Sequence, residues 1–335
     1  VVIGPWGLKF VTAVDNILHF AELGVVLLLF VIGLELQPSR LWVLRRSVFG
    51  LGSAQVLVTG AVVGAIALTL GMSVDSTLVI GLGLAMSSTA FVLQILAEKG
   101  QLTARHGRSS FAILLFQDLA VIPLLALIPL LGAGDAHAVG GSAWLGALKA
   151  IGVIIAVIAG GRYLLRPVLQ AIAASGIREI FTAASLLVVI GTSLLMSSVG
   201  LSMSLGAFLA GVLLADSEYR HELEADIEPF KGLLLGLFFI SVGMSADLGL
   251  IVAHPLAIIG ATLGLMIVKA AVLLGLGRFS GHTWESSRGL AVALCQGGEF
   301  AFVLFGLAAD NGIMGRTLTD ALVIVVTLSM ALTPL

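Results

Sequence analysis

The run LLFQDLAVIP, residues 114–123, sets Gln117 and Asp118 inside an otherwise unbroken apolar stretch. A carboxylate at the centre of a membrane helix costs roughly 2.5–3.5 kcal/mol on insertion scales, so it needs a partner or a task. Lys269 and Glu299 also fall near the middle of apolar runs. Such groups face a protein interior or a wet cavity, and they mark ion pathways or tie helices together. Both readings stand at this point. Asp118 and Lys269 form a structural ion pair or serve transport, and Glu299 is a hydrogen-bonded structural carboxylate or a transport group.

Two short stretches interrupt the apolar pattern. AMSSTA, residues 85–90, brings Ser87, Ser88 and Thr89 into mid-span. Their hydroxyls bond back to the preceding turn or offer oxygens to a ligand. CQGGEF, residues 295–300, brings Gln296 and the pair Gly297–Gly298, and glycine weakens a helix interior. Each stretch is a candidate discontinuous helix. Irregular backbone at membrane depth is tolerated only where protein buries it or a cavity wets it.

The elements that must position these residues are membrane helices. Of 335 residues, 59% are hydrophobic and 11% are charged, a composition that places the chain in the membrane class. The single Cys295 excludes an internal disulfide. Apolar segments of spanning length are expected at about 17–36, 47–70, 76–97, 109–131, 143–165, 179–199, 203–215, 230–249, 254–277, 287–310 and 319–335. Their period is helical, so the predicted fold class is an all-α polytopic membrane protein, with one membrane domain over 1–335. Alternate loops hold thirteen of the seventeen basic residues, from Arg40, Arg45 and Arg46 through to Arg278 and Arg288. The positive-inside rule puts those loops and the C-terminus in the cytoplasm.

The spans 47–70, 76–97 and 109–131 carry their polar break in the middle member, and so do 254–277, 287–310 and 319–335. The two triplets start from opposite sides of the membrane. Inverted repeats with interrupted helices at matching positions are the mark of a secondary transporter whose site lies at mid-membrane.

The strings GPWG (4–7), FVIGLELQPSRLW (30–42), GLAMSSTA (83–90), LLFQDLAVIP (114–123), GAFLAGVLLADSEYRHELEADIEPFKGLLLGLFFISVGMS (206–245) and QGGEFAFVLF (296–305) closely resemble the Kef-type glutathione-gated potassium efflux antiporters of the cation–proton antiporter 2 superfamily. The resemblance implies a sodium/proton antiporter-like fold with inverted repeats and two crossing discontinuous helices. It also implies a homodimer in a bacterial inner membrane, and an ancillary cytoplasmic activator subunit as a possible partner. About one and a half helices are expected before Val1, and a cytoplasmic nucleotide-binding domain after Leu335. Nucleotide and glutathione would act on that domain; within this chain no cofactor is expected, and potassium and protons are the substrates.

Carried onto this sequence, the resemblance puts the potassium- and proton-binding aspartate at Asp118, beside Gln117, with Ser87, Ser88 and Thr89 as crossing-helix ligands. Gln296, Gly297 and Gly298 form the second break. Lys269 matches a core lysine that pairs with the ion-binding carboxylate in electrogenic relatives, and Glu299 is grouped with it as a core charge. HELEADIEPF, residues 221–230, resembles a regulatory loop holding His221, Glu222, Glu224, Asp226 and Glu228; apart from the resemblance the same residues read as a solvated loop with a helix starting at Pro229.

Asp118 would then hold a proton or a dehydrated potassium ion by turns. Because Gln117 does not ionise, one-for-one exchange is favoured, unless Lys269 also releases a proton. A sodium–proton antiporter of the same fold is the alternative reading. A gated potassium channel is less favoured, since no TVGYG-like filter is present. An intramembrane hydrolase lacks HExxH, GxSxG and a Ser–His pairing in mid-span, so no enzyme activity is expected.

Overall fold

The computed structural model describes residues 14–35, 45–132, 152–153, 155, 157, 159–161, 166–173, 177–198, 203–215, 217–245 and 248–333. The span expected at 143–165 falls mostly outside the described residues. The chain forms two compact units, one of residues 1–42 and 135–244, the other of 43–134 and 245–335.

The second unit carries the residues singled out above. A π-helical stretch, Ser47–Gly52, leads into α2 (Ser53–Thr69), followed by α3 (Val74–Ala85), α4 (Thr89–Glu98) and α5 (Arg105–Gly132). After them in chain order come α10 (Leu248–Ala253), α11 (Pro255–Phe279), α12 (Trp284–Leu294), α13 (Phe300–Asp310) and α14 (Arg316–Leu332). The helices at Ser47–Thr69, Arg105–Pro129 and Pro255–Phe279 are each long and apolar enough to cross a membrane. The spans expected at 76–97 and 287–310 are each two short helices, broken where the polar residues fall.

The two triplets begin their broken members with the same local device. GMSVDS at 71–76 and GHTWES at 281–286 each open on a glycine with positive φ, Gly71 at 82° and Gly281 at 74°. A Ser or Thr follows as the helix cap: the hydroxyls of Ser73 and Thr283 accept from the amides of Ser76 and Ser286 at 3.2 and 3.3 Å. Asp75 and Glu285 then sit in the first turn, where the helix dipole favours an anion. The capping pattern recurs in both halves of the unit and marks the repeat at residue level.

Small residues let α2 and α3 touch backbone to backbone. A Cβ on Gly81 would lie 2.5 Å from the Gly60 carbonyl oxygen, the close approach typical of helix pairs in lipid. Val92 and Leu96 of α4, Ile113 and Leu114 of α5, Leu273 of α11, and Leu290 and Leu294 of α12 share a buried apolar cluster. Parts of both triplets therefore meet in one core.

In the first unit, α1 (Val14–Glu35) packs on α8 (Met203–Leu214), with α6 (Arg166–Ala173), α7 (Arg178–Ser197) and α9 (Arg220–Ser245) completing the described elements. A Cβ on Gly211 would fall 2.1 Å from the Phe30 carbonyl oxygen. Close packing thus explains the short glycine-bearing α8.

The acidic stretch requires a correction. Residues 221–230 are helical turns of α9, not a loop, and Pro229 lies inside the helix rather than at its start. Leu223 and Ile227 join the buried core, so the i, i+4 apolar pair outweighs the breaking effect of Pro229. Asp226 is buried and accepts from the Thr182 hydroxyl at 2.7 Å. His221, Glu222 and Glu228 remain exposed, and Glu224 is half-buried. Exposed Glu228 pairs with half-buried Lys231 at 2.5 Å.

Candidate functional site

Both breaks stop a helix and restart it within a few residues. α3 ends at Ala85, Met86 turns extended with φ −67° and ψ 150°, and Ser88 caps α4 by accepting from the Phe91 amide at 3.4 Å. In the other half α12 ends at Leu294, residues 295–299 are irregular, and α13 starts at Phe300 with Glu299 as its cap residue.

The free backbone groups at the first break are held by buried amides. Gln117 Oε1 accepts from the Ser87 amide at 2.9 Å, and its Nε2 donates to Gln55 Oε1 at 2.7 Å and to Ala85 O at 3.4 Å. Gln55 Nε2 also donates to Ala85 O, at 3.0 Å, and to Thr59 Oγ1 at 3.2 Å. Gln117 was expected among the ion ligands; its amide here holds the Ser87 amide, Ala85 O and the Gln55 side chain. Gln55 was missed in the sequence, although a glutamine amid the apolar residues 48–68 was itself a signal.

The two breaks meet. Ser87 Oγ donates to Leu294 O at 2.9 Å. A Cβ on Gly298 would stand 2.7 Å from the Ser87 carbonyl carbon, so only glycine permits the contact. At the second break, the Gly297 amide donates to Ser329 Oγ at 2.9 Å, which donates to Val326 O at 2.7 Å. Ser329 is a second brace missed in the sequence.

Lys269 lies fully buried at the meeting point. Its ammonium donates to Met86 O and Gln296 O, both at 2.6 Å, and to Ser87 Oγ at 3.1 Å. These hydrogen bonds go to carbonyls and a hydroxyl, where the sequence led us to expect a carboxylate. The physical reason is that α3 and α12 both end here, and helix C-termini carry partial negative charge. One cation answers both ends.

The acidic groups take the opposite pole. Asp118 is 8% exposed, and its Oδ1 accepts from Thr89 Oγ1 at 3.0 Å. Thr89 opens α4, so the carboxylate stands beside a helix N-terminus, where the dipole favours an anion. Glu299 is also 8% exposed, and its carboxyl group lies against the Ser88 hydroxyl and the main-chain amides of Thr89 and of Glu299 itself. Asp118, Thr89, Ser88, Lys269, Gln296 and Glu299 are thus brought together. His221, Glu222, Glu224, Asp226 and Glu228 belong to the other unit. Among the described residues no cluster of three His, Cys, Asp or Glu side chains could hold a metal ion. Carboxylate, hydroxyl and carbonyl oxygens are the donors a hard, weakly held cation takes.

The glycines give a direct test of the crossing. Gly298→Ala drives its methyl into the Ser87 backbone, which cannot yield, and is expected to lower the thermal unfolding temperature through about 1–3 kcal/mol of overpacking. Gly297→Ala meets the Val326 side chain, at 3.0–3.3 Å, and should shift it less. Equal shifts measured in detergent would contradict the crossing geometry.

The whole chain, residues 1–335, matches the family described as sodium/hydrogen exchanger, transmembrane. Among solved structures it resembles that of the sodium proton antiporter MjNhaP1 from Methanocaldococcus jannaschii at pH 8, with a TM-score of 0.60 at 18% sequence identity. The likeness covers 99% of this chain and 87% of that one, and at this identity it speaks for the fold.

Proposed function

The chain belongs to the transmembrane sodium/hydrogen exchanger family of cation:proton antiporters, and from that premise we propose that it exports potassium in exchange for protons at Asp118. The observation that carries this reading is a buried carboxylate held by the hydroxyl of the residue that restarts a broken membrane helix. Burial disfavours the charged carboxylate, whereas a nearby cation favours it. Proton and metal cation are therefore mutually exclusive occupants, and that exclusion is the coupling.

In this mechanism Asp118 releases its proton to the cytoplasm and takes a potassium ion stripped of water. Thr89 Oγ1 and main-chain oxygens at the break replace part of the hydration shell. Alternating access then carries the loaded site to the other face, where the ion is exchanged for a proton. Gln117 carries no charge and braces the Ser87 amide. Lys269 is engaged by Met86 O and Gln296 O, and with Gln117 uncharged the single carboxylate of the motif, Asp118, supports one-for-one, electroneutral exchange. The Kef-type strings further support an inner-membrane homodimer with a cytoplasmic C-terminus. They also support gating by nucleotide and glutathione through a cytoplasmic domain, with an ancillary subunit as activator and residues 221–230 as part of the regulatory route.

The family description and the solved relative give sodium as the second reading. Proton flux in liposomes bearing the purified protein, with potassium, rubidium or sodium chloride added in turn, separates them. Potassium and rubidium should collapse an imposed pH gradient while sodium leaves it. Collapse by sodium alone would transfer the proposal to sodium.

A further inference from the structure

Around the crossing nearly every polar group has a partner, and the exceptions gather in one place. Gln296 is fully buried, and neither its Oε1 nor its Nε2 has a hydrogen-bond partner among the described residues. Three residues on, Glu299 Oε2 is buried and equally without one. Buried polar atoms left unpaired are costly and rare in folded proteins, and they point to a bound water or ion. Here three such atoms fall within residues 296–299, an unwound stretch at membrane depth.

The main chain fixes where these residues lie. Gln296 O is held by Lys269 Nζ, Gly297 N by Ser329 Oγ, and Gly298 is pressed against the Ser87 carbonyl. Glu299 thereby comes to the start of α4, where its carboxyl group lies against the Ser88 hydroxyl and the Thr89 amide. Asp118 reaches the same turn through the Thr89 hydroxyl. Two carboxylates thus share one helix start. The first is bonded at the Oδ1 atom, and the second keeps an unpartnered oxygen, as does the Gln296 amide three residues earlier in the same unwound stretch.

We propose that Glu299, with the amide oxygen of Gln296, forms a second holding position for the transported monovalent cation, adjacent to Asp118. The proposal rests on the reading of Asp118 as the exchange carboxylate and adds to it. Glu299 Oε2 and Gln296 Oε1 are both oxygen acceptors, the donor type that a hard monovalent cation takes in exchange for water. Gln296 Nε2 has no use for a cation and is left for a water molecule that completes the ion's shell. An ion at Glu299 sits at the same helix start as the proton-exchanging group. Its role is to raise the local cation concentration at Asp118, so it governs apparent affinity and leaves the turnover step to Asp118.

The test is proton flux in liposomes holding the full-length protein, over a range of potassium chloride concentrations. E299Q keeps size and hydrogen bonding but removes the charge. We expect its half-maximal potassium concentration to rise about ten-fold or more while the maximal rate stays within about two-fold, the pattern of lost ground-state binding. E299D should recover part of the affinity. Potassium-dependent thermal stabilisation of the detergent-purified protein gives a readout independent of transport, and its midpoint should move with the affinity. If E299Q does not fold, Q296L serves in its place, with the same expected shift. An unchanged half-maximal concentration and an unchanged stabilisation midpoint would overturn the second position. The parent reading fails separately: D118N that still exchanges sinks both, whereas inactive D118N with unaltered E299Q sinks only this one.

Discussion

In liposomes under an imposed pH gradient, Asp118→Asn is expected to show cation-driven proton flux no greater than that of protein-free vesicles. The loss should be at least about 100-fold, the lower end of what removing a positioned proton-transfer group does. The substitution is nearly isosteric, and the Asn oxygen still accepts from Thr89 Oγ1, so the fold should persist. Three physical consequences join in the loss. Asn cannot release a proton, it cannot offer a full charge to an incoming cation, and it removes the competition between the two. Asp118→Glu keeps the charge but places it one methylene farther along, and should retain measurable exchange. Wild-type flux in the Asn variant would remove Asp118 from the mechanism.

Replacement of Lys269 by Met should act on the fold more than on coupling. The variant keeps the volume of the side chain and deletes its donors, leaving Met86 O and Gln296 O unpaired where no water reaches easily. At about 1–3 kcal/mol for each unsatisfied buried group, the two together cost about 2–6 kcal/mol. For a chain of this size that corresponds to a fall of about 3–9 °C in the unfolding temperature measured in detergent. What survives in the membrane should keep one-for-one exchange, read as a flux unaffected by membrane voltage. A change in the voltage dependence of Lys269→Met would mean that the ammonium takes part in the proton count.

Part of this site is a local property of the chain. Asp118, Lys269 and Glu299 stand out because ionisable groups are expensive in apolar runs. The breaks at 85–90 and 295–300 stand out because hydroxyls and paired glycines oppose a mid-span helix. The repeated triplet followed from the order of those breaks, and the sodium/proton antiporter fold from the triplet and the resembling strings. Segment lengths and basic residues were enough to lay out the described spans to within a few residues, except that the helix expected from 230 begins at Arg220.

What eluded the sequence depends on contacts with groups that carry no side-chain identity. Lys269 is answered by the carbonyls of Met86 and Gln296, and every residue has a carbonyl; only the folded backbone decides which two helix ends arrive there. Gln117 reads as a ligand in isolation, and only the fold shows that Gln55 and the Ser87 amide are beside it. The acidic stretch 221–230 reads as a loop from its charges and Pro229, yet Leu223 and Ile227 have a core to bury in, and burial wins. The amino-acid order thus determined which residues are costly in a membrane. Tertiary structure alone decided which distant atoms meet that cost, because those bonds join segments far apart in the chain.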